Sequence, residues 1–179
     1  PLPYETFKFN SVGRNELKMK EDKKYLISVG RLVKRKGYDF LLDIIHELPK
    51  VNLIIVGDGP EKEHLEKRIS ELGLDKRVIL AGNVSEEQKF QYLQNADIYV
   101  LSSVHEGFGI VLQEAMQVGL PIVSTDFGGQ VDVIKDQENG YLIKYGDVES
   151  AKTVISKLLS DYELCKKMRQ ANMAKVEEY

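Results

Sequence analysis

Two glutamates, Glu106 and Glu114, frame a glycine-flanked helix start in the stretch "SSVHEGFGIVLQEA", residues 102–115. Gly107 and Gly109 leave backbone N–H groups exposed where the helix begins, a natural cradle for phosphate or sugar oxygens. Acids beside an anion site would repel its ligand unless they serve a different part of it. Glu114 falls in the second turn, roughly 8–12 Å from Glu106 at about 1.5 Å rise per helical residue. It borders a face formed by Val111, Ala115 and Val118, whose spacing suits packing on a sheet. A carboxylate there is costly unless it accepts hydrogen bonds. Paired hydroxyls, such as a ribose diol, are suitable donors. The competing reading makes Glu114 a half-exposed helical residue paired with a surface lysine.

Cations gather elsewhere. "GRLVKRKG", residues 30–37, places Arg31, Lys34, Arg35 and Lys36 just before a helix opening near Gly37–Tyr38. Cations at a helix N-terminus oppose its dipole, so helix stability does not explain them. An anion shared between them and the helix amides would. Arg31 could grip a phosphate bidentately, with Lys36 as a point charge. The alternative is a solvated basic loop. A third cluster, "TDFGGQVDVI" at 125–134, carries Gly128–Gly129. That pair either makes a simple turn or brings backbone close to a ligand. Neither a P-loop nor a dinucleotide fingerprint is present. "GDGPEKE", 57–63, reads as an ordinary helix start, with Pro60 in the first turn.

The elements that must hold these clusters are short apolar runs, each followed by a helical pattern. "YLISVG" (25–30) leads to a helix over 38–48, "NLIIVG" (52–57) to 61–73, and "RVILAG" (77–82) to 85–96. "DIYVLS" (97–102) leads to 109–119, "PIVST" (121–125) to a short segment near 130–135, and "GYLI" (140–143) to 147–160. A last helix covers 161–178. The runs are continuously apolar, as strands covered on both faces are. The alternation predicts an α/β fold, a doubly wound, Rossmann-like parallel sheet of about six strands. Ligands of such sheets bind beyond the carboxyl ends of the strands. Here those ends carry Gly30, Gly57, Gly82 and Ser102.

The chain has 179 residues, 42% hydrophobic and 30% charged, with a net charge of −3. That suits one domain with a real core and gives no global field toward nucleic acid. Cys165 is the only cysteine, so no internal disulfide forms. No apolar run reaches the length of a transmembrane segment. The opening "PLPYETFKFN" lacks Met and a signal-peptide pattern, and reads as the end of an interdomain linker in a longer chain. The expected division is a linker-like segment over 1–23 and a single domain over 24–179. His105 adjoins Glu106, while His46 and His64 fall within helices, away from the ligand edge. None is assigned catalysis.

Taken together, the motifs resemble the nucleotide-sugar-binding C-terminal domain of retaining GT-B glycosyltransferases, the glycosyl transferases group 1 family. "HEGFGIVLQEA" carries the resemblance most specifically. "VGRLVKRKG", "IVGDGP", "LAGNVSEEQ" and "GLPIVSTDFGGQVDVI" follow in the family's order over about 25–160. The resemblance implies one half of a GT-B fold and roles residue by residue. Arg31 and Lys36 match the pair on the donor diphosphate, and Glu114 the acid on the ribose hydroxyls. Glu106 matches the acid near the donor sugar. Gly107, Phe108, Gly109 and Ile110 match the sugar and phosphate cradle, and Asn83 and Val84 the loop beside the base. Glu106, Arg31 and Lys36 are the catalytic candidates. The acids would then hold neutral hydroxyls, while cations and the helix end hold the diphosphate. The implied donor is a UDP-, GDP- or ADP-sugar, and the implied product a hexose transferred with retention to an acceptor on a separate N-terminal domain. No cofactor is expected. No D-x-D motif lies at this edge, so charge stabilisation is expected to replace a divalent metal ion. The implied location is cytoplasmic, either free or peripheral at the membrane. The competing functions are a non-catalytic nucleotide-sugar-binding module and a domain of a nucleotide-sugar epimerase.

Overall fold

The computed structural model describes residues 12–104 and 109–176. Six strands form one sheet in the order β3-β2-β1-β4-β5-β6. They are β1 (Lys24–Val29), β2 (Val51–Val56), β3 (Val78–Gly82), β4 (Ile98–Leu101), β5 (Ile122–Thr125) and β6 (Gly140–Ile143). Every pairing between them is parallel. The helices are α1 (Tyr38–His46), α2 (Lys62–Glu71), α3 (Glu86–Asn95), α4 (Ile110–Gln117), α5 (Gln130–Val133), α6 (Val148–Ser160) and α7 (Tyr162–Val176). This is the expected Rossmann-like α/β fold. Among the described residues, no helix is long and apolar enough to cross a membrane.

The uninterrupted apolar runs resolve into two cores. Successive strand residues point to opposite faces. Leu26, Leu53, Ile55, Ile98, Val100 and Val123 face one core, with Leu41 and Ile45 of α1, Leu65 of α2 and Ile155 of α6. Ile27, Ile54, Val56, Tyr99, Leu101 and Ile122 face the other, with Phe90 and Leu93 of α3 and Leu112, Ala115 and Met116 of α4. Each such side chain contributes about 1.5–3 kcal/mol when fully buried. An alternating pattern would have left one face wet and exposed the helices' apolar stripes.

Residues 12–23 pack against the second core rather than hanging free. Leu17 and Met19 are buried in it. Arg14 donates to the carbonyls of Lys23 and Asn95 at 2.7 and 2.9 Å and pairs with Asp97 at 3.2 Å.

The strand order reverses between β1 and β4, which opens a crevice beyond their carboxyl ends. Backbone contacts close tightly beside it, along the carboxyl ends of β1, β2 and β3. Gly30 N–H donates to Val56 at 2.9 Å and Gly57 N–H to Gly82 at 2.9 Å. Gly57 has φ +141°, and a Cβ there would lie 2.0 Å from the Gly30 carbonyl oxygen. Only glycine fits such an approach.

Candidate functional site

Arg31 is exposed at the end of β1 and makes no side-chain hydrogen bond or ion pair among the described residues. Its loop is nonetheless fixed. Leu32 N–H donates to Asp58 at 3.0 Å, and Glu61 N–H to Leu32 at 3.0 Å. The "GDGPEKE" turn therefore clamps the Arg31 loop while it starts α2, a role its sequence did not advertise.

Lys36 sits differently. It is buried, with 8% of its surface exposed. Its Cε and Nζ lie 3.2 and 3.3 Å from where a Cβ on Gly30 would stand, so the ammonium tucks under the end of β1. Tyr38 Oη donates to the Gly30 carbonyl at 3.1 Å. Ser102 Oγ donates to the Lys36 carbonyl at 2.8 Å, and Val104 N–H donates to the Arg35 carbonyl at 2.9 Å. The basic loop is thus stitched to the chain segment that precedes the first glutamate.

Glu106, Gly107 and Phe108, with His105, lie outside the described residues. What supports their neighbourhood is visible. Gln130 is buried and donates to Thr125 Oγ1 at 3.0 Å and to the Ser103 carbonyl at 3.4 Å. Thr125 Oγ1 also donates to the Ser103 carbonyl. Gly128 takes φ +61° as expected, whereas Gly129 does not and serves as the N-cap of α5. Ser102 stood out only as a small strand-end residue, and Thr125, Tyr38 and Gln130 not at all, because the sequence does not display the hydrogen bonds through which each acts.

A cleft of about 360 Å³ opens between the ends of β1, β2 and β3, lined in part by Gly30, Arg31, Asn83, Val84, Glu86 and Lys89. The structure therefore brings together Arg31, Asn83 and Val84, which sequence spacing alone cannot do. Gly109 caps α4 with non-helical backbone, and Ile110 is exposed beside it. The first N–H groups of α4 have no partner within the helix. Its buried face is Leu112, Ala115 and Met116 rather than Val111, Ala115 and Val118. Both valines still pack against the same core, partly buried. The wheel is turned slightly because Met116 and Leu112 reach deeper than the valines.

Glu114 reaches the cleft through a lysine. Lys89 Nζ donates to Glu114 Oε1 at 2.8 Å and to Glu86 Oε2 at 2.7 Å. The surface-lysine reading of Glu114 is half right: a lysine is there, but neither partner is at the surface. Their side chains are 12% and 17% exposed. Glu114 Oε2 is buried and has no hydrogen-bond partner among the described residues. Burial pushes the Glu114 carboxyl above its ordinary range, against the opposing pull of Lys89. Burial also pulls the Lys89 ammonium down, but the two carboxylates outweigh it and leave it raised. Sequence reading missed Lys89. It sits on the exposed-looking helix α3, and nothing local marks its reach across to α4.

His64 corrects a second expectation. It lies in the first turn of α2, on the ligand edge, and bonds Asp39 at 2.9 Å. With Glu61 it forms the one group among the described residues whose potential metal-ligating atoms lie within 4.8 Å of one another. Arg68 already stands 3.7 Å from Asp39. This cluster lines a separate hollow with Lys34 and Tyr145 and touches neither Arg31 nor Glu114. A further hollow of about 440 Å³, lined in part by Lys24, Asp97, Cys165 and Arg169, lies at the amino ends of the strands, away from all the predicted residues.

Residues 11–175 match the family described as glycosyl transferases group 1. The chain is 36% identical over 154 residues to the lipopolysaccharide core biosynthesis glycosyltransferase LpsE of Rhizobium meliloti, covering 86% of this chain and 45% of that protein. It superimposes on Anabaena HepE in complex with UDP-glucose with a TM-score of 0.85 at 26% identity, covering 92% of this chain and 46% of that one. The C-terminal domain of a group 1 family protein, LpcC from Francisella tularensis, gives 0.81 at 26% identity and is covered over 96% of its length, with 97% of this chain. The chain spans less than half the length of the curated relatives it matches.

Proposed function

The chain belongs to the glycosyl transferases group 1 family, and from that premise we propose that it is the donor-binding half of a retaining, metal-independent hexosyltransferase. The donor is a sugar linked to a nucleoside diphosphate, and the acceptor is held by a further, N-terminal domain. The observation that carries this reading is the gathering of Arg31, Asn83 and Val84 around one cleft at the carboxyl ends of β1, β2 and β3, with Glu114 reached through Lys89. The UDP-glucose complex of the similar Anabaena protein supports the choice of ligand class.

In this proposal Arg31, Lys36 and the amides at the start of α4 hold the diphosphate. Negative charge grows on it as the bond to the sugar breaks. Fixed cations and N–H dipoles stabilise that charge without reorganising. Asn83 and Val84 border the base, and Glu114 accepts from the ribose hydroxyls. Glu106, Gly107 and Phe108 are assigned to the sugar end on the family resemblance, with Gly109 and Ile110 completing the cradle. The two acids bind hydroxyls and are not an acid–nucleophile pair.

A thermal-shift panel of UDP-, GDP- and ADP-sugars, each with and without EDTA, tests the reading. At least one donor should raise the melting temperature, since a ligand at about 100 times its Kd adds about 2.7 kcal/mol to stability. No shift with any of them would overturn it, and shifts abolished by EDTA would overturn metal independence.

A further inference from the structure

Lys89 is assigned no ligand contact in the reading above, yet its surroundings are unusual for a lysine on an otherwise polar helix. Its ammonium is held between Glu86 Oε2 at 2.7 Å and Glu114 Oε1 at 2.8 Å, and its side chain is 12% exposed. It lines the cleft beside Arg31, Asn83 and Val84. The carboxylate it grips keeps one oxygen, Oε2, buried and unpartnered. A buried acceptor left empty is destabilising, so it marks a place where a donor belongs.

We infer that Lys89 is a positioning residue for nucleotide recognition: it fixes Glu114 by one oxygen, so that the other oxygen is presented to a ribose hydroxyl. This rests on the ribose reading of Glu114 proposed above. The physics has two parts. Held by one oxygen, the carboxylate loses the freedom to swing away from the ligand. Burial alone favours the neutral acid, and a neutral carboxyl offers a hydroxyl ligand a weaker acceptor. The charged groups that reach Glu114 among the described residues are Lys89, which opposes protonation, and Glu86, which promotes it. Lys89 neutralises part of both.

The test uses the 179-residue chain with UDP and 2′-deoxy-UDP as probes, titrated between about pH 5.5 and 8. Wild type should prefer UDP. Lys89→Met should bind UDP at least tenfold more weakly at neutral pH and lose most of that preference. Its acid limb of binding should move to higher pH than in wild type. Titration of the nucleotide's own phosphate is common to both proteins and cancels in the comparison. Lys89→Arg should restore the preference and the limb. Lys89→Gln, a polar neutral variant, should behave as Lys89→Met and keeps the test decisive if the apolar variant does not fold. Glu114→Gln is run alongside. If it loses UDP affinity while Lys89→Met and Lys89→Gln keep wild-type affinity, preference and pH profile, the positioning role is wrong and the ribose reading stands. If Glu114→Gln binds UDP as wild type does, the ribose reading fails, and the inference falls with it.

Discussion

The Arg31→Ala, Lys36→Ala double variant is expected to lose nearly all measurable affinity for UDP and GDP while still folding. Each charged hydrogen bond to a phosphate is worth about 1.5–3 kcal/mol, more than tenfold in affinity per residue. The two substitutions should differ in what else they do. Arg31 is exposed and unpartnered among the described residues, so Arg31→Ala should leave the denaturation midpoint unchanged. Lys36 is buried with its side-chain end against Gly30, so Lys36→Ala should also lower stability, in part through lost packing of its methylene stem. Calorimetric titration paired with urea unfolding separates the two effects. Unchanged affinity in both single variants would return the 30–37 segment to a solvated basic loop.

The second large effect is expected at Glu114. Glu114→Gln should weaken UDP and GDP alike, because the ribose is common to both. It replaces a charged acceptor and leaves Lys89, among the described residues, with Glu86 as its one acid partner, an exposed one. A loss of about 2–3 kcal/mol is expected where a charged hydrogen bond and its buried partner are both disturbed. Glu106→Gln should leave nucleoside diphosphate affinity nearly intact and act only where the donor sugar is present. The pH sign follows from burial. The Glu114 carboxyl titrates above its ordinary range, and a ligand hydroxyl on Oε2 favours the ionised form. On the proposed role of Glu114, nucleotide binding is coupled to deprotonation: affinity should fall as the pH drops through that raised range. Glu114→Gln should flatten this dependence. A steep Glu114-like limb that survives in Glu114→Gln would assign it to another group.

Most of the fold was legible because each strand run is bounded by glycine, serine or proline and each helix repeats its apolar residues every three or four positions. All six strands and the seven helices of 12–104 and 109–176 fall where those patterns place them, within a residue or two. The packed segment 12–23 was not legible. Leu17 and Met19 are isolated apolar residues among charges, and only the third dimension shows the groove they fill. At the site, Arg31 and Glu114 could be singled out because a cation at a helix start and an acid beside a packed face each violate a local preference. Lys89 violates none. It follows Glu86 at helical spacing and looks like an ordinary solvated lysine. Its meaning arises from the ion pair it makes across to Glu114 of α4, a non-local fact. His64 was misplaced for a related reason. Its helix and its place in the first turn were legible, but its approach to Asp39 and Lys34 across the loop before α1 is a non-local fact.

The claim most in need of a direct test is that this edge, and no other surface, holds the nucleoside diphosphate. Proton–nitrogen correlation spectra of the labelled chain, titrated with UDP in EDTA, address it residue by residue. The amides of Gly30, Arg31, Val84, Ile110 and Val111 should move together and saturate at one common affinity, while those of Cys165, Lys166 and Arg169 at the opposite end stay still. Shifts confined to Lys166 and Arg169, or none that saturate, would contradict the account.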